Sequence, residues 1–278
     1  MKIKFSFLVL FLCTLFYTLS AQKVDTIRIL SPSMKKEIKN VIILPQDYEK
    51  NKKQSYPVVY LLHGHGGRYD SWIKETQPRL PELATEWGMI FVCPDGSNSW
   101  YWDSPVDSSS RYETYISQEL TDYIDKNYRS IASPKGRAIT GYSMGGHGAL
   151  WLAFRHPDLY GAAGSMSGGV DIRPFPHSWH MKDYLGSYEK NPEIWEQHTV
   201  INQLPYKAPT GQLALIIDCG SSDFFYEVNQ RLHEKLLYYR IPHDYIIRPG
   251  SHTFSYWKNA IAVSYTHLRA HETDSYLV

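Results

Sequence analysis

Ser143 stands in Ile139-Thr140-Gly141-Tyr142-Ser143-Met144-Gly145-Gly146-His147-Gly148, which contains the pattern Gly-x-Ser-x-Gly. Apolar residues precede it, and the helix-forming run Ala149-Leu150-Trp151-Leu152-Ala153-Phe154 follows. A serine nucleophile must stand on a sharp turn between a strand and a helix, so that its hydroxyl projects from the sheet edge. Gly141 and Gly145 leave room for that turn, where a Cβ would crowd it. A helix starting near Met144 aims free N–H groups and the positive end of its dipole at a reacting carbonyl.

Serine becomes a good nucleophile only when a base takes its proton and an acid orients that base. With the serine on such a turn, the acid and then the histidine follow it along the chain. His233 falls in a predicted helix, His243 precedes a strand beside Pro242, and His267 and His271 lie in the terminal segment. This leaves His252, in Pro249-Gly250-Ser251-His252, directly after a short apolar strand. Two carboxylates compete for the acid. Asp218 belongs to a strand end; Asp223 lies on the loop after it, within reach of His252, but would also suit a cap for the helix starting at Phe224. Asp223 is preferred, and Asp218 stays open.

The oxyanion formed on attack needs two N–H donors already aimed at it. Met144 should supply one, and the backbone of His65 or Gly66, in His63-Gly64-His65-Gly66-Gly67, the other. His63 and His65 also spell His-x-His, but no partner cluster follows, so neither metal nor cofactor is expected. His147 and His156 are expected at the surface or at helix ends.

These residues need a sheet to hold them. Val24–Leu30 and Glu37–Leu44 read as an edge hairpin. Val58–Leu62, Met89–Cys93, Arg137–Thr140, Ala162–Met166, Leu213–Ile217 and Tyr245–Ile247 read as short buried strands. Between them fall helical stretches: Ser71–Trp87, interrupted near Pro78 and Pro81; Tyr112–Tyr128, with Ile116, Leu120, Tyr123 and Ile124 on one face; and Phe224–Tyr239. A short helix begins near His252. Alternating strands and helices imply an α/β fold with a mostly parallel twisted sheet covered on both faces.

A long excursion joins Met166 to Leu213 and holds Phe175, Trp179, Tyr184, Tyr188 and Trp195; the loop after Cys93 holds Trp100, Tyr101 and Trp102. Both segments leave carboxyl ends of strands, as the serine does, so Trp100, Trp102 and Trp179 are candidate substrate-binding rings. Cys93 and Cys219 end strands that should not be neighbours, and two buried thiols are expected.

The 278 residues carry 29 basic and 28 acidic groups, a balance that suggests neither a nucleic-acid nor a membrane partner. Lys2 and Lys4, the apolar run from Phe5 to Leu19 and Ser20-Ala21 read as an export signal over residues 1–21. Val263–Thr273 resembles a translated transposase adapter from DNA library preparation, so residues 263–278 are read as an artefact. Residues 22–262 then form one domain whose last helix is cut short.

Tyr60–Gly67, Gly141–Leu150, Cys219–Phe225 and Gly250–Trp257 together resemble the esterase D / antigen 85 group of α/β-hydrolases. Within it, the likeness is to the secreted feruloyl and acetyl-xylan esterases of carbohydrate esterase family 1. The resemblance runs from about Lys35 to Ala262. It implies Ser143 as nucleophile, Asp223 as acid, His252 as base, and Met144 and His65 as oxyanion donors. It also implies a secreted serine esterase acting on small-molecule or polysaccharide-linked feruloyl, acetyl or short-chain esters. An antigen 85-type acyltransferase, or a silent carbohydrate-binding relative, is the alternative.

Overall fold

The computed structural model describes residues 23–204 and 213–262. The export-signal segment, part of the excursion and the terminal segment fall outside the described residues.

Eight strands form one sheet: β1 (Lys23–Ser31), β2 (Lys36–Leu44), β3 (Val58–Leu62), β4 (Ile90–Pro94), β5 (Arg137–Tyr142), β6 (Ala162–Met166), β7 (Ala214–Gly220) and β8 (Asp244–Arg248). Their spatial order is β1-β2-β4-β3-β5-β6-β7-β8. β1 and β2 form the expected antiparallel edge hairpin, β2 is antiparallel to β4, and all other pairs are parallel. The helices are α1 (Leu80–Trp87), α2 (Tyr112–Thr114), α3 (Thr121–Asn127), α4 (Met144–Arg155), α5 (Lys182–Leu185), α6 (Pro192–Gln197) and α7 (Tyr226–Tyr238). Residues 254–262 are helical too.

β3 shows why the strands read as unbroken apolar runs. Successive side chains point to opposite faces of a strand. Val58, Tyr60 and Leu62 enter the core that also buries Ile116, Leu150 and Leu232, from α4, α7 and the segment between α2 and α3. Val59 and Leu61 enter a second core with Leu80 and Leu83 of α1 and Tyr256, Trp257 and Ile261 of the last helix. Both faces are dry, so neither register position tolerates a polar residue.

The helix expected over Tyr112–Tyr128 is not regular. A π-helical stretch, Tyr115–Leu120, joins α2 to α3, and the Thr121 hydroxyl donates to the Ile116 carbonyl at 2.9 Å. The extra residue per turn still leaves Ile116, Leu120 and Ile124 buried, while Tyr123 is only partly covered. Cys93 and Cys219 are free and buried, on β4 and β7, with β3, β5 and β6 between them.

Candidate active site

β5 delivers Ser143 into a backbone that few residues adopt, with φ 57° and ψ −120°. The turn is held at both ends. The Ser143 N–H donates to the Met166 carbonyl at 2.9 Å, and its carbonyl accepts from His147 N–H at 3.0 Å. The two glycines are obligatory: a Cβ on Gly141 would lie 2.4 Å from the Gly145 oxygen, and one on Gly145 2.2 Å from the Leu62 oxygen. Sheet and helix therefore touch backbone to backbone, and Met144 opens α4, where N–H groups lack intrahelical acceptors.

His252 reaches this turn from the loop after β8. Its Nε2 lies 2.8 Å from the Ser143 Oγ, and its Nδ1 lies 2.9 and 3.0 Å from the two oxygens of Asp223. A carboxylate can only accept, so Nδ1 carries the hydrogen and Nε2 faces the serine as acceptor. Asp223 is buried, and its Oδ1 also accepts the Phe225 N–H at 2.8 Å. Asp223 does not cap a helix starting at Phe224: α7 begins at Tyr226 with Phe225 in the cap position, and the bond to the Phe225 N–H closes the turn before it.

Asp218, the open alternative, sits elsewhere. It is buried at the end of β7 and accepts hydrogen bonds from Arg248 and the Tyr256 hydroxyl. Burial pushes its pKa up, against the pull of those two donors. It ties β7 to β8 and to the last helix rather than meeting the imidazole.

The loop after β3 lies beside the serine, where a Cβ on Gly64 would sit 3.3 Å from the Ser143 Cβ. The Gly66 N–H donates to Asn98 Oδ1 at 2.7 Å and the Gly67 N–H to the Gly64 carbonyl at 3.0 Å, so of the expected pair only His65 keeps its N–H out of these bonds. The His65 ring stacks on His180, with centroids 5.9 Å apart and planes 9° from parallel. Burial and the nearby His180 lower its pKa. His63 is fully engaged: Nδ1 donates to the Gly64 carbonyl at 2.8 Å and Nε2 accepts the Gly96 N–H at 2.9 Å. Among the described residues, no three metal-binding side chains converge.

Three expectations need correction. His147 lies near a helix end, in the first turn of α4, but it is fully buried and not at the surface. Its Nδ1 bonds the Gly169 carbonyl at 3.0 Å, and its ring packs against Trp100, Trp102 and Trp151. Trp100 and Trp102 are not substrate-facing rings, because they keep only 1% and 0% of their surface. They stack on each other at 5.7 Å and against the edge of His147, where burial of large rings outweighs any exposure at the loop. Trp179 alone of the three keeps part of its surface exposed. It stacks on Phe224 at 5.7 Å, and Phe224, 51% exposed, lies 4.1 Å from the His252 ring. Sequence reasoning named Phe224 only as a helix start, although its position directly after Asp223 places it beside the base.

Fold and site together define an α/β-hydrolase. The Esterase family profile matches residues 31–268, and this chain belongs to that family. It is 29% identical over 238 residues to an esterase of Mycobacterium tuberculosis, covering 77% of this chain and 52% of the relative, so the chain spans about half the length of that protein. It is 26% identical to the S-formylglutathione hydrolase of Bos taurus, over 74% of this chain and 77% of the relative. Among solved structures, a ferulic acid esterase superposes with a TM-score of 0.76 at 27% identity, covering 89% of this chain and 98% of the other.

Proposed function

We propose that this chain is a serine carboxylesterase working through an acyl-enzyme, with Ser143 as nucleophile, His252 as base and Asp223 as the acid that orients it. The 2.8 Å contact between Ser143 Oγ and His252 Nε2, with Asp223 closing on Nδ1, carries this reading. His252 takes the serine proton as Oγ attacks the ester carbonyl, then gives it to the departing alcohol. Water repeats the sequence on the acyl-serine and frees the acid. The N–H groups of Met144 and His65 receive the oxyanion.

The substrate is a feruloyl, acetyl or short-chain ester on plant polysaccharide, met outside the cell. The likeness to a ferulic acid esterase supports the acyl group. The stacked Trp179 and Phe224 beside His252 suit a flat acyl chain. The test is fluorophosphonate labelling together with hydrolysis of p-nitrophenyl acetate, methyl ferulate and acetylated xylan. Ser143→Ala should abolish labelling and lower kcat by about 10⁴-fold or more. Labelling that survives in Ser143→Ala would sink the assignment.

A further inference from the structure

A pocket of about 320 Å³ opens away from Ser143, at the C-terminal half of α4. Trp151 and Arg155 on that helix are eight and twelve residues beyond the serine, about 12 and 18 Å along its axis. Arg111 and Asp103 come from the segment leading into α2, and Gln197 and His198 from the end of α6.

The pocket wall is charged yet balanced. Arg111 pairs with Asp103 at 2.9 Å, and Arg155 Nε donates to Glu113 Oε1 at 2.8 Å. Glu113 is further held by Trp151 Nε1 at 2.9 Å and by His156 at 3.0 Å, and Asp103 by the N–H and hydroxyl of Thr114. Each carboxylate is thus committed to protein donors. Each guanidinium has five N–H donors and gives only part of that fork to its partner. The Arg155 guanidinium lies over the Trp151 ring at 4.6 Å, and the His198 ring stacks on Trp151 at 5.5 Å. The His198 Nδ1 bonds the Ile194 carbonyl at 2.7 Å, and burial lowers its pKa, so its Nε2 is an acceptor. Gln197 adds an exposed amide, both donor and acceptor.

Two paired cations and two paired anions leave no net charge to attract an ion of either sign. What remains is a mixed set of donors and acceptors in a cavity of small-ligand size, a set that alternating hydroxyl groups match. We propose that this pocket binds a neutral polyhydroxylated ligand, a sugar residue of a carbohydrate chain, at a site separate from the esterase centre. Its binding does not depend on the serine mechanism; only its benefit to turnover rests on the substrate being polysaccharide-linked.

The probe is xylotetraose, titrated calorimetrically into the full chain, with Arg111→Ala and Gln197→Ala as variants. Xylotetraose should bind, and each variant should weaken it by about tenfold, the scale of one lost hydrogen bond to a charged or amide group. p-Nitrophenyl acetate hydrolysis should stay unchanged in both variants, which also shows that they fold. Gln197 is exposed, so its replacement cannot be confused with a folding defect. No binding of xylotetraose, binding indifferent to both variants, or tighter binding of a galacturonate oligomer or sulfate would each overturn the proposal. Failure of the esterase reading would show instead in the p-nitrophenyl acetate and fluorophosphonate assays, with sugar binding intact.

Discussion

The rim of the site and the layer directly beneath it use the same residue types for opposite ends. On one side stand His252, the Asp223 that holds it, and Trp179; beneath lie Asp218, His147 and Trp102. Each lower member is sealed: Asp218 under Arg248 and Tyr256, His147 against the Gly169 carbonyl, Trp102 against Trp100. Above them, His252 keeps a base nitrogen on the serine, with Asp223 buried behind it, and Trp179 keeps part of a ring exposed beside it. Chemical identity does not separate the layers; contact with the serine and its base, and exposure of the rings, do.

The largest effect that would test this contrast belongs to the carboxylates. Asp223→Asn should lower kcat by about 10⁴-fold, because it removes the charge facing the imidazolium and favours the wrong tautomer. Asp218→Asn should leave kcat within a few fold and instead lower stability, since Arg248 would keep a weaker partner. Steady-state kinetics and urea melts of both variants decide it; the reverse pattern would exchange the two layers.

Trp102→Ala should destabilise the protein by about 3–5 kcal/mol, the cost of emptying a large buried ring site, with KM for methyl ferulate unchanged. Chemical denaturation gives the first quantity and initial rates the second.

His147 sets a pH signature. Burial, opposed only partly by the Gly169 carbonyl, lowers its pKa to about 3. The unfolded chain takes up a proton near pH 6.5 and the folded one does not, so this group's contribution is fully present above that pH and falls as pH drops toward 3. At pH 5 the loss from this residue should be about 2 kcal/mol. A His147→Gln variant, weaker at pH 7, should show a correspondingly shallower loss of stability between pH 7 and 5.

The smallest effect is at the rim ring. Trp179→Ala should raise KM for methyl ferulate about tenfold, roughly the worth of one stacked aromatic contact, and leave p-nitrophenyl acetate nearly untouched. Equal losses on both esters would make Trp179 a packing residue like Trp102.

The upper layer was largely legible in the sequence because backbone requirements write it. Gly141 and Gly145 announce the turn, and the order of elements along the chain isolates His252. The strands were legible because residues such as Val58–Leu62 alternate between two dry faces. The lower layer was not. Trp100 and Trp102 lie on a loop, where no period of 2 or 3.6 says which ring points inward. His147 is a polar residue on the buried part of α4, and the acceptor its Nδ1 finds, the Gly169 carbonyl, is distant in sequence. Asp218 and Asp223 differ in sequence by five positions and in structure by their partners, Tyr256 in one case and His252 in the other, both contributed by the chain more than twenty-five residues later.

The position of β8 at the sheet edge has a consequence for how the molecule loses activity. Among the described residues β8 pairs on one side only, with β7; its residues are mostly half-covered, and it carries the loop that brings His252 to a serine 109 positions earlier. An edge strand of this kind opens at lower free energy than the centre of the sheet, where β3 and β5 are protected on both sides. Its amide hydrogens should exchange with solvent well before those of the interior strands. Mild denaturant should therefore withdraw the histidine while most of the sheet persists, so that inactivation precedes global unfolding.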